Sequence, residues 1–587
     1  MALSRRGFLN RTMAAWGAAV ASGFGFAIRP EPVLANSGSN WPSAADWADL
    51  KANVGGRLIE VTSPLAPCKA DASGSACANV LQDMNNPFYI QDHPGAQQTN
   101  GWLDAWTFEV SPYAVAAESP EDVAAAIVFA KERGVKLAIK GAGHDYLGRN
   151  CAADSLLIWT GRMRDVRFDP AFKISGGPDS DPGVPAVVAQ AGARWIEVYA
   201  AASQNGLYVQ GGGCTSVGAA GGFIQGGGYG SFSKRYGSGA GGVLEFEVVT
   251  ADGRVLIANA AQNTDLFWAL RGGGGSTYGV VTRIALRAHE PPQTLGLLQG
   301  SIKAPDDAAF RELIAKFVAF YPGALNNPHW GEQIAIRQDN SFEIFMTFLD
   351  LDEGEARAVW APLVDALPDG TTADLNVQTH PFSGMWDLDY WKKTDPDFVK
   401  IDTRPDALPD HYWWTPNQGE VSEFLYTYQS RWLPLSLFEP ANAEAFAQTL
   451  FDASRHARVA LHFNKGLSGA PADVLAREEE TSINPLVREA ATLVIIAARQ
   501  SPCFPGIAGH EPDVEKGRAV TADISAAIKI LREATPGGGA YGNEADYFEP
   551  DWQQSFYGVH YDRLLQIKRK YDPDNLFRVH HGVGSEA

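Results

Sequence analysis

Several signals that mark common protein classes are missing from this chain. No cysteine lies in a CxxC pair, and neither HExxH nor a clustered His/Cys spacing occurs, so a dedicated metal site is unsupported. The GxSxG pattern of serine hydrolases is also absent. The chain lacks Lys/Arg-rich stretches, and its net charge of −20 repels phosphate backbones, so nucleic acid is not expected as a partner.

The N-terminus has the order of parts of an export signal. Arg5 and Arg6 precede a small, apolar stretch at residues 13–28, which is too short and too rich in glycine and alanine to be a convincing membrane span. Residues 33–35, Val-Leu-Ala, supply the small residues of a cleavage site. A chance pair of arginines before a weak helix is the alternative, but we expect residues 1–35 to be a twin-arginine signal. The protein is therefore expected to be periplasmic or extracellular.

The length of the chain and the positions of its cysteines limit the possible folds. The chain has 587 residues, whereas single hydrophobic cores stop growing at roughly 250–300 residues, so at least two domains are expected. Five cysteines make an odd count. Cys68 and Cys77 flank a loop rich in glycine, serine and alanine and could form a disulfide in an oxidising compartment, although spacing alone does not prove the pairing.

A first strand runs directly into a glycine turn. Ser119, followed by proline and two acids, predicts the start of a helix, and Gly134 predicts its end. Residues 135–140 then alternate as a strand that leads into Gly-Ala-Gly and His144. This arrangement presents the imidazole of His144 at the end of a strand.

The same arrangement occurs a second time. An alanine-rich helix at 194–205 precedes a strand at 207–210, which leads into three glycines and Cys214. Glycine loops at strand ends let backbone N–H groups converge on a pyrophosphate. GxGxxG also occurs at 237–242 and 537–542, but neither copy opens a helix after a strand as the Rossmann fold requires.

The remaining segments divide the chain. Residues 36–103 mix Trp, Gly, Pro and Asn without sustained periodicity, which predicts an irregular N-terminal extension. An Ala-Asp-Gly turn between 243–250 and 254–258 predicts a β-hairpin. Beyond Pro291, alternating stretches predict an antiparallel sheet with helices, and we expect a substrate domain at 293–500.

The residues around both nucleophiles resemble a known family. His144 lies in KGAGHDYLG, and Cys214 lies in GGGCTSVG, which GGFIQGGGYG follows. With DLFWALRG and the terminal YDPDNLF and HHGVG, these motifs resemble the FAD-linked oxidases of the berberine bridge enzyme-like family, within the vanillyl-alcohol oxidase superfamily. The resemblance spans nearly the whole mature chain. It implies an α+β fold: a two-lobed FAD-binding domain of para-cresol methylhydroxylase type, formed by 104–292 and a returning segment at 501–587, with the substrate domain inserted.

The resemblance also assigns cofactor residues. His144 matches the histidine that bonds the flavin 8α-methyl, and Cys214 matches the cysteine that adds to flavin carbon 6, so FAD is expected to be held covalently by both. Two tethers would prevent cofactor loss and make the flavin a stronger oxidant. The alternatives are a histidine that caps a turn and a buried thiol in a small-residue loop. Val217 matches a position where valine is compatible with oxygen access. The residues that match FAD-contacting loops are Gly141, Ala142, Gly143, Gly148, Gly218, Gly222, Gly227 and Gly228.

A tyrosine is the best candidate for the catalytic base. Tyr146 lies two residues after His144, so in an extended segment both side chains leave the backbone on the same side, and related carbohydrate oxidases have a tyrosine here. Its pKa of about 10 would need lowering by positive charge or a second phenol. Tyr426 and Tyr428 are candidate partners; the alternative is that they alternate in a strand, one in the core and one exposed. Lys465 and His462 are weaker candidates, since such residues are more often structural.

These assignments predict an FAD-dependent oxidoreductase that removes hydride from an alcohol or sugar hydroxyl, with O2 as electron acceptor and H2O2 as product. The alternatives are a dehydrogenase that passes electrons to a periplasmic carrier and a catalytically silent carbohydrate-binding flavoprotein. The sequence does not name the substrate. His560 departs from the family pattern, because it replaces an asparagine that normally helps hold the flavin region.

Overall fold

The structure is a computed structural model that describes residues 41–586, so the export signal predicted at 1–35 lies outside the described residues. The helices are α1 (Ala44–Asn53), α2 (Ala66–Ala70), α3 (Ser75–Asp83), α4 (Pro87–Asp92), α5 (Pro120–Arg133), α6 (Trp195–Ser203), α7 (Gly222–Gln225), α8 (Ser233–Tyr236), α9 (Thr264–Leu270), α10 (Asp307–Ala324), α11 (Glu353–Asp365), α12 (Leu388–Thr394), α13 (Ala443–Ser454), α14 (Ala472–Glu479), α15 (Leu486–Glu489), α16 (Val514–Ala534), α17 (Trp552–Tyr557) and α18 (Tyr561–Tyr571). The strands are β1 (Leu58–Glu60), β2 (Thr99–Trp102), β3 (Trp106–Thr107), β4 (Tyr113–Ala116), β5 (Lys136–Lys140), β6 (Ser155–Trp159), β7 (Val166–Phe172), β8 (Val184–Gln190), β9 (Tyr208–Val209), β10 (Val243–Val249), β11 (Val255–Asn259), β12 (Val280–His289), β13 (Thr294–Lys303), β14 (Trp330–Ile336), β15 (Ser341–Leu349), β16 (Thr372–Pro381), β17 (Val399–Ile401), β18 (Tyr412–Trp414), β19 (Glu423–Pro434), β20 (Val459–His462) and β21 (Ala490–Gln500).

A four-stranded sheet carries the first glycine turn. Its order is β1-β4-β6-β5, and β4, β6 and β5 run parallel. Helix α5 packs against it, and both of its predicted caps are confirmed. The Ser119 side chain accepts a hydrogen bond from the Asp122 N–H, and Gly134 ends the helix in the left-handed region at φ 64°. Strand β5 therefore ends where the sequence predicts and leads to His144.

A second, antiparallel sheet carries the other glycine loop. Its order is β11-β10-β12-β8-β7, and β9 pairs with the end of β12. The predicted hairpin is confirmed, because β10 and β11 pair in register from Glu245–Asn259 to Val249–Val255. Helix α6 packs in the core of this sheet through Trp195 and Tyr199. Helix α6 and strand β9 together bring the chain to the loop that ends at Cys214.

The largest sheet has nine strands in the order β16-β13-β15-β14-β20-β21-β19-β2-β3. Its neighbours are antiparallel except β2, which lies parallel to β19. Helices α10, α13 and α16 cover one face with an apolar core that includes Phe310, Phe451 and Ile528. The other face packs Trp432 and Tyr428 against Tyr229 of the first half of the chain. The antiparallel sheet with helices predicted beyond Pro291 is confirmed.

The N-terminal segment differs from its prediction, because residues 44–92 contain four short helices rather than irregular chain. The Ser43 side chain and Asp46 form a reciprocal capping box that starts α1. These helices have only 5 to 10 residues, too few to show an apolar period. A disulfide between Cys68 and Cys77 joins α2 to α3, so the pairing left open by the spacing is present.

The C-terminal segment returns to the first half of the chain. It contains helix α18, and the Tyr571 hydroxyl at the end of this helix donates to Asp265 at 2.8 Å. The buried Lys568 ammonium donates to the Thr277 carbonyl at 2.8 Å. Two mixed or antiparallel sheets with helices, an inserted large sheet and a returning tail confirm the predicted α+β class. Among residues 41–586, no helix is both long and apolar enough to cross a membrane.

Candidate functional site

The two predicted nucleophiles meet at one cavity. His144 and Cys214 both line it, although 70 residues of sequence separate them, and Glu420 and Asn417 line the same space. The Cys214 thiol contacts the side-chain amide of Asn417. The structure therefore brings together the ends of the two glycine loops.

Local backbone contacts fix both loops. Gly143 has φ 84°, and a Cβ there would lie 2.8 Å from the Lys140 side chain, so only glycine fits without strain. In the second loop, the Tyr199 hydroxyl donates to the Gly212 carbonyl at 2.6 Å, and the Trp414 indole donates to the Gly213 carbonyl at 2.9 Å. These bonds hold the Cys214 loop rigidly.

Neither nucleophile is charged in this environment. Burial, assisted by the Lys140 ammonium, lowers the pKa of His144 to about 4, so its imidazole is neutral at neutral pH. Burial, assisted by the Glu420 carboxylate, raises the pKa of Cys214 well above its usual value. The His144 Nε2 atom lies 3.2 Å from the Ser216 hydroxyl, which leaves the other ring nitrogen for a ligand.

A cleft lined by glycine backbone begins at His144. Its empty space is about 600 Å³. No heavy atom lies within 4 Å of the Cβ that Gly221 or Gly222 would carry, so the backbone there faces open space. Backbone N–H groups that face such a cleft suit a pyrophosphate. The cleft lining contains these predicted residues: Gly141, Ala142, Gly143, His144, Val217, Gly218 and Gly222.

The remaining predicted glycines, Gly148, Gly227 and Gly228, are absent from the linings of the cavities. They have φ values of 71°, 119° and 77°, and a Cβ on Gly228 would lie 2.5 Å from the Phe223 ring. Their positive φ explains the residue type at these turns. Contact with a cofactor stays a prediction for these three, as it does for the residues that line the cleft.

Three cavities adjoin one another along one path, because neighbouring cavities share a lining residue. His144 lines both the cavity with Cys214 and the glycine cleft, and Arg149 lines both that cleft and a third cavity beside Tyr541 and Asn543. Each cavity has a buried oxygen without a hydrogen-bond partner among the described residues: Gln98 Oε1, Asn150 Oδ1 and the Tyr229 hydroxyl. Buried polar atoms need partners. An elongated, polar cofactor such as FAD fits this path.

The tyrosine candidates lie on two faces of the large sheet. The Tyr146 and Tyr428 rings stack with centroids 5.1 Å apart. A β-bulge between Leu425 and Thr427 turns Tyr426 to the opposite face, where its hydroxyl donates to Gln500 at 2.6 Å. The structure thus unites Tyr146 with Tyr428 and does not bring Tyr426 to the site.

The surroundings of Tyr146 raise its pKa, whereas a catalytic base would need a lowered pKa. Burial has the largest effect and raises the pKa of Tyr146 well above 10. The Glu420 carboxylate raises it further, although the Arg499 guanidinium acts to lower it. Arg499 pairs with Glu423 at 2.9 Å and with Glu420 at 3.4 Å. The cationic group that would stabilise a phenolate is therefore already paired with two acidic side chains.

The other sequence candidates have structural partners. Lys465 forms a partly buried ion pair with Glu544 at 2.5 Å. Burial lowers the pKa of His462, which sits in β20 beside β14. His560 packs edge-on against the Trp268 ring at 5.2 Å, and its Nδ1 has no hydrogen-bond partner in the described chain.

Several lining residues had no sequence signal. Arg149 and Asn543 hydrogen-bond across the path at 3.4 Å, and only their closeness to family-like motifs could have pointed to them. Glu420 and Gln98 lie outside every recognised motif. No group of three or more His, Cys, Asp or Glu side chains suited to a metal ion occurs in residues 41–586.

Comparisons with known proteins agree with this geometry. A family model described as "FAD binding domain" matches residues 111–259, and one described as "Berberine and berberine like" matches 540–584. The FAD-linked oxidoreductase patO of Aspergillus clavatus is 32% identical over 576 residues, covering 93% of this chain and 91% of that protein.

Solved structures share the fold. The VAO-type flavoprotein MtVAO615 from Myceliophthora thermophila C1 superposes with a TM-score of 0.75 and 26% identity, covering 94% of this chain and 96% of that one. Glucooligosaccharide oxidase from Acremonium strictum, described with a 6-S-cysteinyl, 8α-N1-histidyl FAD, has a TM-score of 0.63 and 20% identity, covering 89% of this chain and 99% of that one. Sequence and structure together show that the chain belongs to the berberine bridge enzyme-like FAD-linked oxidoreductases, within the vanillyl-alcohol oxidase superfamily.

Proposed function

We propose that the protein is an oxidase that carries FAD covalently through His144 and Cys214 and oxidises an alcohol or sugar hydroxyl, with O2 as electron acceptor and H2O2 as product. The observation that carries the proposal is the convergence of these two side chains on one cavity that adjoins the glycine cleft at His144. FAD bound there supplies the hydride acceptor. A glucooligosaccharide oxidase of the same fold has the corresponding pair of flavin bonds.

The chain holds the reacting hydroxyl and receives its proton. Tyr146 keeps its own proton, since its pKa is raised, so its hydroxyl serves to orient the substrate. Glu420 lines the cavity with His144 and Cys214, and we assign it as the proton acceptor. The substrate approaches between the glycine cleft and the face of the large sheet that carries Tyr428.

Substitution separates these roles. Glu420→Gln is expected to lower kcat by about a hundredfold, a magnitude typical of a lost general base. Tyr146→Phe is expected to lower kcat/KM by a similar factor. Tyr426→Phe is the matched control, because it removes a buried phenol of β19 on the sheet face away from Tyr146, and it should keep full activity. Equal losses in Tyr426→Phe and Tyr146→Phe would contradict the assignment.

Covalent attachment has a direct test. Acid-precipitated, washed protein should stay yellow, and its intact mass should exceed that of the polypeptide by one FAD. His144→Ala and Cys214→Ala should each remove one bond, whereas Cys503→Ala, a buried thiol elsewhere, should remove none. A colourless wild-type precipitate would overturn the attachment.

The electron acceptor is tested by a peroxide assay across sugars, primary alcohols and benzylic alcohols. Val217 lines the cleft, and its family position is compatible with oxygen access. Peroxide formed in step with product supports an oxidase. Turnover only with artificial acceptors would favour the dehydrogenase alternative, and no anaerobic bleaching of the flavin by any substrate would favour a silent binding protein.

Export by the twin-arginine route is part of the proposal. It rests on Arg5 and Arg6 and on the small residues at 33–35. Replacing both arginines by lysine should keep the yellow protein in the cytoplasm, as measured by cell fractionation. Unchanged export of that variant would reject the route.

A further inference from the structure

A glutamine of the N-terminal segment reaches the proposed flavin-attachment residue. Gln91 lies in α4 and is 2% exposed. Its side-chain amide nitrogen lies 3.4 Å from His144 Nε2 and also donates to the Ser216 carbonyl. The N-terminal segment that the sequence predicts as irregular therefore contacts the histidine that is proposed to bond the flavin.

Helix α4 is anchored on both sides of Gln91. The buried Lys140 ammonium donates to the carbonyls of Ile90 at 3.2 Å and His93 at 2.7 Å. Asp92 pairs with three guanidinium groups, those of Arg164, Arg194 and Arg404. Because the ends of the short helix cannot shift independently, the position of the Gln91 side chain is fixed.

The orientation of the Gln91 amide is fixed as well. Arg194, only 1% exposed, donates to Gln91 Oε1 at 3.2 Å. A guanidinium has no acceptor, so the oxygen of the amide must face Arg194 and its NH2 group must face His144. Gln91 therefore presents a hydrogen-bond donor to the Nε2 atom of His144.

The opposite ring nitrogen is left for a ligand. Nδ1 of His144 has no hydrogen-bond partner within residues 41–586, and the ring lines the cavity that also holds Cys214. We propose that Gln91 is a positioning residue for covalent flavin attachment: as Nδ1 bonds the flavin 8α-carbon and Nε2 loses its proton, the Gln91 amide donates to Nε2 and keeps the attached imidazole neutral. This inference rests on the covalent attachment in the proposed function.

The hydrogen-bond partners of His144 Nε2 suit the ring both before and after covalent attachment. The attacking Nδ1 must carry a lone pair, so the ring proton is on Nε2, where the Ser216 hydroxyl can accept it at 3.2 Å. Attachment forms the Nδ1–carbon bond, breaks one C–H bond and the Nε2–H bond, and leaves two electrons and two protons on the flavin. Molecular oxygen removes both electrons and both protons as hydrogen peroxide. Nε2 is then an acceptor, and the Gln91 amide is its donor.

Two substitutions distinguish positioning from simple packing. Gln91→Leu removes the donor, and Gln91→Glu keeps the size and the Arg194 contact but replaces the donor by an acceptor. Gln429→Leu is the matched control, because Gln429 is 5% exposed and hydrogen-bonds Ser525 on the other face of the large sheet. Each purified protein is assayed for FAD content, for the fraction of flavin that survives acid precipitation and for the pKa of the attached histidine, read from flavin absorbance against pH.

Loss of the Gln91 donor should change two measured quantities, the rate of flavin attachment and the pKa of the attached histidine. The rate of covalent attachment after FAD is added to flavin-free protein should fall about tenfold in Gln91→Leu, because the variant lacks the buried hydrogen bond that forms as Nε2 loses its proton. A donated bond favours the neutral ring, so the pKa of attached His144 should rise by about one unit in Gln91→Leu and further in Gln91→Glu. Lys140 of β5 is the charged group that acts on this ring, and it is unchanged in all variants.

Each result either supports the role of Gln91 or overturns it. Gln429→Leu should match wild type in every readout. If Gln91→Leu does not fold, the pKa in Gln91→Glu alone decides. A wild-type rate and pKa in the Gln91 variants would overturn the inference while leaving the covalent bond intact. Wild-type protein without acid-stable flavin would instead overturn the attachment itself, and this inference with it.

Discussion

Removal of Arg499 should make the stability of the protein depend on pH in a defined way. Glu423 is fully buried, its Oε2 lies 2.9 Å from Arg499, and its Oε1 accepts a hydrogen bond from Thr99 at 3.1 Å. Burial raises the pKa of Glu423 from 4.5 to about 7, and the Arg499 charge keeps it from rising further. Arg499→Met removes that charge with little change in side-chain length.

The size of the effect follows from proton linkage. A raised carboxyl pKa means that the folded state binds more protons than the unfolded state, so the contribution of Glu423 to stability is greatest below pH 4.5 and falls as pH rises towards 7. In wild type the fall ends near pH 7. In Arg499→Met the pKa of Glu423 lies higher, so the fall continues, at about 1.4 kcal/mol per pH unit. Between pH 7 and 9 the variant should therefore lose up to about 3 kcal/mol more than wild type.

Urea unfolding of the flavin-loaded protein at pH 6, 7, 8 and 9 measures this difference. The gap between wild type and Arg499→Met should be small at pH 6, where Glu423 is protonated in both, and should widen above pH 7. Adding Glu423→Gln to both proteins should make the gap independent of pH. A constant gap across the range, or a gap that widens equally when both proteins carry Glu423→Gln, would refute the reasoning.

Three further outcomes follow from single contacts. Cys77→Ser opens the disulfide to Cys68, which closes a loop with a sequence separation of 9, and should lower the free energy of unfolding by about 2–3 kcal/mol in urea titrations. Gly230→Ala would place a Cβ 1.9 Å from the Gly211 carbonyl, so the melting temperature should fall by an amount equivalent to about 1–3 kcal/mol and acid-stable flavin should decrease. Burial lowers the pKa of His289 from 6.5 to about 4. Between these two pH values the unfolded state binds more protons than the folded state, so the free energy of unfolding falls as the solution becomes more acidic. His289→Phe should reduce this fall by up to about 3 kcal/mol, as measured by urea unfolding at pH 6.5 and 4.

Elements defined by neighbouring residues were predictable from the sequence. Helix α5 has its cap at Ser119 and its stop at Gly134, and the β10–β11 hairpin has its turn at Asp252 and Gly253, so each signal lies within a few residues of the structure that it determines. The His144 and Cys214 loops were predictable for the same reason. Their meeting in one cavity depended on the family resemblance, because no local pattern encodes a contact across 70 residues.

Features that depend on distant contacts were missed. The bulge that turns Tyr426 away from Tyr428 has no signature in an alternating strand. Gln91 lies in a six-residue helix whose position is fixed by Lys140 and Asp92, and neither contact is visible as a period or motif. The sign of the pKa shift at Tyr146 also needed the structure, since it depends on Glu420 and Arg499 from other segments.

The parallel pairing of β2 with β19 sets the order in which this protein can fold during synthesis. Thr99 bonds to Glu423, 324 residues later, so β2 has only its short partner β3 on one edge until the ribosome has made most of the protein. At translation rates of about 5–20 residues per second, that wait lasts roughly 16 to 65 s. Contacts so distant also slow the search for the native pairing. The large sheet can close only after β19 has been released, and an amino-terminal fragment that stops earlier leaves β2 as an open edge prone to association with other chains.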